Sequence, residues 1–207
     1  MPSAAPAAGE PFRLGAIILA AGGSSRMGSA KQLLSVDGAP LVARAVDAAL
    51  GAYAWPVVVV LGANAGKVRK ALAGRSFVES LNAGWSAGIS SSIQSGLEAA
   101  LAAEPRLSAV LVAAVDQPAL SPGIIAQLAD LHRSSGRIAC ARYAGHNGAP
   151  AVFGRKDFAR LRSLTGDQGA RKMLNRKPSA VAALEIPSLA IDIDTPADLR
   201  DWNGRKT

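Results

Sequence analysis

The sequence predicts an α/β fold on a mostly parallel sheet, and three observations predict it. Apolar runs without polar alternation occur at residues 15–20, 57–61 and 109–115, as strands covered on both faces require. Segments with helical period lie between them. Strand, helix and strand in succession then require right-handed crossovers.

Taken in order, GAIILA (15–20) is a buried strand that runs into a Gly/Ser-rich loop. Residues 41–50 repeat apolar side chains at helical spacing. VVVVL (57–61) is a β-branched strand flanked by Pro56 and Gly62. Ile89, Ile93, Leu97 and Leu101 recur every four residues, with Ser90, Ser91 and Ser92 standing where helix caps are expected. The strand at 109–115 ends on Asp116. Ser121 and Pro122 take the cap and first-turn positions of a helix over 124–131. Beyond Arg137, residues 138–143 and 151–153 read as strands around a polar turn at 145–148. Helices are expected over 156–164 and 169–176, late strands at 180–186 and 190–193, and a last helix opened by Thr195 and Pro196. Without an internal repeat or a long linker, residues 14–207 read as a single domain. The Ala/Pro-rich stretch 1–13 reads as a disordered lead-in.

Composition narrows the function. Hydrophobic residues make up 49% and charged ones 18%, which excludes intrinsic disorder. Aromatics are 4% while Ala is about a fifth, so core volume comes from Ala, Val, Leu and Ile. A single cysteine, Cys140, excludes a disulfide framework and a cysteine-built zinc site. Two histidines, His132 and His146, make no metal cluster. The net charge of +8 admits nucleic acid, anionic membrane or phosphate-bearing small molecules as partners. The basic residues form no block and aromatics are scarce, which argues against nucleic acid. The apolar run at 14–21 is too short for about 30 Å of hydrocarbon, and the lead-in has no basic start. The expectation is a cytoplasmic protein with neither a membrane nor a nucleic-acid partner.

The chemistry concentrates at strand ends, where open α/β sheets bind ligands. After the first strand comes LAAGGSSRMGSAK (19–31), three glycines and three serines with the cations Arg26 and Lys31. Backbone N–H groups of such a loop can converge on one anion; the alternative is a flexible connection with two solvated cations. The loop is neither of two familiar phosphate binders. Ser29 stands where a P-loop needs its lysine, and the adjacent Gly22 and Gly23 break the dinucleotide pattern. Asp116 ends a buried strand, where an acid needs a cation, a helix N-terminus or a metal, or serves as a turn cap. Asp192 and Asp194 project to one face of an extended strand, and capping explains only one of them. With Asp116 they suit a divalent metal opposite the Arg26/Lys31 loop.

Residues 19–31 resemble the signature of the small-molecule nucleotidyltransferases, LAAGxSxRMGxxK. KQLL (31–34), NAGWSAGISSS (82–92), DQP (116–118), GAP (148–150), GDQGAR (166–171) and DIDTPADL (192–199) follow in order. Together they make residues 15–202 similar to the molybdenum cofactor cytidylyltransferase branch of the MobA-like NTP transferases. The resemblance implies a three-layer α/β/α, Rossmann-like (GT-A-like) fold around a mostly parallel sheet. It also implies Mg2+-dependent transfer of CMP from CTP to molybdopterin cofactor with release of pyrophosphate, and a molybdoenzyme as client.

Carried onto this chain, the resemblance lays the backbone of Leu19, Ala20, Ala21, Gly22, Gly23 and Ser24 against the nucleotide. Arg26 and Lys31 hold the triphosphate and stabilise charge at the α-phosphoryl group. Asp116 is the metal ligand, Asp194 the second, and Asp192 the reserve. Asn82 and Ser91 line the nucleotide pocket; Ser90, Ser92, His146, Asn147 and Gly148 face the acceptor. Ala149 stands where the branch carries His or Asn in its GxP turn. An acceptor phosphate is already a nucleophile, so positioning and electrostatics replace a nucleophile–base pair. Two alternatives stay open: another NTP such as GTP or another phosphorylated acceptor, and a non-catalytic chaperone that binds the cofactor. Trp85 either stacks on a base or pterin or packs under the Asn82 loop. Cys140 reads as a buried small hydrophobe, and Arg155, Lys156, Arg160, Arg162, Arg171 and Lys172 as helix-face charges.

Overall fold

The computed structural model describes residues 11–23, 30–175, 178–193 and 196–204. Ser24, Arg26, Asp194 and the first ten residues of the expected lead-in lie outside them. In chain order the elements are β1 (Leu14–Ala20), β2 (Ser35–Val36), β3 (Ala39–Pro40), α1 (Leu41–Gly51), β4 (Val57–Leu61), α2 (Ala65–Ala71), β5 (Val78–Leu81), α3 (Ile89–Ala103) and β6 (Ala109–Ala114). Then follow α4 (Pro122–Ser135), β7 (Ile138–Tyr143), β8 (His146–Gly154), α5 (Phe158–Arg162), α6 (Arg171–Leu174), β9 (Val181–Glu185) and α7 (Pro196–Gly204).

Seven strands form one sheet in the order β5-β4-β1-β6-β8-β7-β9. β1 pairs in parallel with both β4 and β6, and β4 with β5; β8 alone runs antiparallel to its neighbours, and β7 pairs β9 in parallel. Both faces are covered, which is why the strands lack polar alternation. On one face Ala16, Ile18, Val57 and Val59 pack with Val42 and Val46 of α1 and Ile125 and Leu128 of α4. On the other, Ile17, Val58, Val60 and Val112 meet Ile93 and Leu97 of α3 and Phe158 and Leu161 of α5. The three-layer expectation holds. Among the described residues no helix is long and apolar enough to cross a membrane.

The topology also locates the site. The chain leaves β1 toward β4 and β5, then returns through α3 to β6 on the other side of β1. Such a reversal opens a crevice at the carboxyl ends of the flanking strands. Here those are the ends of β1 and β6.

Several local expectations are corrected. The serines 90–92 are not caps: α3 starts at Ile89, Gly88 precedes it at φ +112, and no side chain caps it. Ser121 does cap α4, its hydroxyl accepting from the Ile124 N–H at 3.4 Å. β8 is longer than expected and contains His146, Asn147 and Gly148, so the turn is Ala144-Gly145, both at positive φ. The helix at 156–164 is a 3-10 turn followed by only five α-helical residues. That at 169–176 shrinks to Arg171–Leu174. Residues 190–193 form no strand, because Pro187 opens a 3-10 turn and the chain runs back across the sheet end, where the Ile193 N–H donates to the Asp116 carbonyl at 2.9 Å. The β2–β3 hairpin, α2 and β5 were not foreseen. Asp37-Gly38, both at positive φ, is the two-residue turn signal for that hairpin.

Cys140 is fully buried in β7, as expected, and burial pushes its thiol up from 9.0 to about 11. The native thiol should therefore resist thiol reagents at about pH 8. Its linkage has a definite sign: the unfolded chain ionises first, so above pH 9.0 and up to about 11 the thiol lowers stability as pH rises. Denaturant midpoints across that window should fall less steeply in Cys140→Ala; parallel curves would refute the assignment.

Candidate active site

The strand ends determine what the crevice contains. β1 runs into Ala21, Gly22 and Gly23, and the chain comes back into the described structure at Ala30 and a 3-10 turn, Lys31–Leu33. From that turn Lys31 Nζ reaches Asp116 Oδ2, two residues beyond β6, at 2.9 Å. Both side chains are largely covered, at 17% and 26% exposure, so this pair is less screened than one at an open surface. The next residue, Gln32, is buried and donates to the carbonyls of Ala20 and Gly22, at 2.9 and 2.6 Å.

Asp116 opens onto a pocket of about 360 Å³. Leu19, Ile89, Ile93, Val112 and Leu174 supply its apolar lining; Asp192, Asp167, Arg171, His146, Asn147 and Gly148 add polar walls. The structure thus brings Leu19, Asp116 and Asp192 together with His146, Asn147 and Gly148, three of the five residues expected at the acceptor; Ser90 and Ser92 are not in the lining. Arg171, read as a helix-face charge, is part of the lining.

The polar wall has its own construction. Gln117 is buried, and its Nε2 lies 3.0 Å from both Tyr143 Oη and the Ala149 carbonyl and 3.3 Å from the Leu189 carbonyl. The Tyr143 hydroxyl also donates to the Ala149 carbonyl at 3.0 Å. Burial first, then the charge of Asp192, push the Tyr143 phenol up, keeping it a donor. His146 stands edge-on to the Tyr143 ring at 5.1 Å, and Asn147 donates to the Leu174 carbonyl at 2.9 Å. Gln117 and Tyr143 escaped the sequence reading, though DQP (116–118) contains one of them. A Cβ at Gly148 would land on the Tyr143 hydroxyl. Gly148→Ala is therefore expected to displace that ring and cost about 1–3 kcal/mol of stability. A denaturant melt of the variant beside wild type measures that cost.

Asn82 and the serines take a different place. Asn82 Nδ2 donates to Ser91 Oγ and Ser92 Oγ at 2.9 and 3.1 Å, and its Oδ1 accepts from the Gly84 N–H at 3.0 Å. Ser91 also donates to the Gly84 and Gly88 carbonyls at 3.1 and 2.8 Å. Asn82, Ser90 and Ser92 are buried, and none of these four is in the pocket lining. Asn82, Ser91 and Ser92 brace the 82–88 loop against α3. Trp85 packs beside the glycine loop: a Cβ at Gly62 would come within 2.9 Å of its Cγ, and one at Gly23 within 3.0 Å of Cη2.

Comparison with known proteins gives a consistent picture. The model of the MobA-like NTP transferase domain matches residues 16–181. Nicotine blue oxidoreductase of Paenarthrobacter nicotinovorans is 35% identical over 198 residues, covering 86% of this chain and 91% of that protein. The crystal structure of Rv0371c from Mycobacterium tuberculosis H37Rv superposes with a TM-score of 0.77 at 28% identity, covering 92% of this chain and 97% of that one. A manganese complex of Rv0371c gives a TM-score of 0.71 at 28% identity, covering 92% and 98%. A nucleotidyl transferase from Methanothermobacter thermautotroptrophicus, Mth528, shares the fold, with a TM-score of 0.77 at 24% identity and coverage of 94% and 99%.

Proposed function

Because this chain belongs to the family of MobA-like NTP transferase domains, a nucleotidyltransferase family, we propose that it transfers CMP from CTP to molybdopterin cofactor. In this reaction an oxygen of the acceptor's phosphate forms a bond to the α-phosphorus, the bond from that phosphorus to the β-phosphate oxygen breaks, and pyrophosphate leaves. The observation that carries the reading is the Lys31–Asp116 pair at the crevice between β1 and β6, on the rim of a pocket that also holds Asp192.

The residues fit a divalent metal. Asp116 and Asp192 are hard oxygen donors on one pocket, and the Ile193 N–H to Asp116 carbonyl bond ties their two segments together. Among the described residues no three His, Cys, Asp or Glu side chains form a metal cluster, and Asp194 lies outside them. One or two carboxylates plus substrate phosphates are what Mg2+ takes. The manganese complex of Rv0371c supports divalent-metal use. Bound there, Mg2+ would neutralise phosphate charge. Lys31 would hold the triphosphate together with Arg26, and the amides of residues 20–24 would line the nucleotide. Gln117, Tyr143, Asn147 and Arg171 would shape the acceptor side. The reaction belongs in the cytoplasm, where the cytidylylated cofactor would pass to a molybdoenzyme.

The test crosses four NTPs with molybdopterin cofactor and other phosphorylated acceptors, measuring pyrophosphate. Release with CTP and molybdopterin, absent in Lys31→Ala, is the expected result. GTP preferred over CTP, or another acceptor, would replace the substrate assignment. Cofactor binding without release would favour the chaperone reading. The name of the relative at 35% identity, nicotine blue oxidoreductase, favours a second activity, oxidation or reduction of a compound such as nicotine blue. A further assay arm that follows the absorbance of nicotine blue in the presence of an added oxidant or reductant separates the two.

A further inference from the structure

Gln32 is the buried polar side chain at this site to which the proposed reaction gives no part. It is 2% exposed, and its Nε2 donates to two backbone carbonyls, those of Ala20 at 2.9 Å and Gly22 at 2.6 Å. Between them, the Ala21 carbonyl accepts from the Ala63 N–H at 3.1 Å. Three successive peptide planes are therefore anchored where β1 becomes the glycine-rich loop. A trans peptide is planar, with N–H opposed to C=O. Fixing the carbonyls of Ala20 and Gly22 thus turns the N–H groups of Ala21 and Gly23 away from the glutamine, and Gly22 and Gly23 are exposed.

The neighbouring residue completes the device. Lys31 and Gln32 share one 3-10 turn, closed by bonds from the Leu33 and Leu34 N–H groups to the Ala30 and Lys31 carbonyls. That turn grips the end of β6 through Lys31 and Asp116, and the end of β1 through Gln32. We propose that Gln32 is a positioning residue for nucleotide recognition: it sets the peptide planes of the loop and registers them against the Lys31 ammonium without touching the nucleotide itself. The inference rests on the nucleotidyltransferase reading.

Gln32→Met keeps length and volume but removes both donors. CTP affinity, measured by titration calorimetry, is expected to fall about tenfold, equivalent to about 1.4 kcal/mol. In turnover, KM for CTP should rise by a similar factor, with kcat within about threefold and acceptor KM within about twofold of wild type. A purely structural role would move both substrates together or neither. If Gln32→Met does not fold, Gln32→Glu replaces one nitrogen by oxygen at the same size. It sets a carboxylate oxygen against two carbonyls and should weaken CTP at least as much. Wild-type affinity for CTP in whichever variant folds overturns the inference while leaving the function standing. A wild-type protein that binds no nucleoside triphosphate overturns both.

Discussion

Asp116→Asn is expected to lower pyrophosphate release at least about 100-fold while leaving the fold intact. The substitution keeps the shape of the side chain and removes only its charge. The pocket loses the carboxylate that faces Lys31 at 2.9 Å and that is best placed, with Asp192, to take a divalent ion. Preorganised charge at a phosphoryl-transfer site is worth about 100- to 1,000-fold per group removed. The stability cost is small by comparison. The pair is about a quarter exposed at its acidic end, so breaking it costs on the order of 1 kcal/mol or less. Two measurements decide the outcome: initial rates of pyrophosphate release at saturating CTP and acceptor, and a denaturant melt of the same sample. Turnover within tenfold of wild type would remove Asp116 from the reaction. Lost turnover with an early melt would assign it a structural part.

How much of this was legible in the sequence follows from where each signal lives. The parallel half was readable because its strands are covered twice: residues 57–61 and 109–114 have no polar face to confuse, and their neighbours keep helical period. The site's place was readable because the glycine loop and Asp116 each follow such a strand. The C-terminal third was less so. Its first two helices, α5 and α6, run for only five and four residues, too short for periodicity to declare their bounds, and 3-10 turns interrupt that part of the chain. β5 was hidden because VESL alternates weakly on an edge strand. Within the site, charge was legible and hydrogen bonding was not. Lys31 and Asp116 advertise themselves by residue type. Gln32 and Gln117 act through carbonyls of residues 10 to 72 positions away, which no local pattern encodes. Ser91 and Ser92 are a further case: read from the sequence as helix caps, their hydroxyls accept instead from Asn82, nine and ten positions away.

Gly96→Val is expected to destabilise the fold severely, by about 3 kcal/mol or more. A glycine in the middle of a 15-residue helix ordinarily costs about 1 kcal/mol relative to alanine. Something must oppose that gain, and the packing identifies it. A Cβ at Gly96 would run into the Cγ2 of Ile17 and come within 2.9 Å of the Cγ2 of Val60. Both are fully buried on adjacent central strands, β1 and β4, so neither can yield without moving the sheet. Overpacking of this kind costs about 1–3 kcal/mol for a single methyl and more for a branched side chain. Gly96→Ala should therefore destabilise despite its better helix propensity. The opposing contact is specific, which makes the claim sharper than a loss of stability alone. Ile17→Ala by itself should cost about 2–5 kcal/mol through the cavity it leaves. Combined with Gly96→Ala, the new methyl enters that space, and the two effects should fall short of additivity by at least about 1 kcal/mol. Chemical denaturation of the four proteins in the cycle measures this directly. Strict additivity would mean that α3 takes up the methyl by tilting away from the sheet. Ile89 and Ile93, on the same helix, line the pocket, so that tilt would appear as weakened acceptor binding in Gly96→Ala and would place the function of Gly96 in the site as much as in the core.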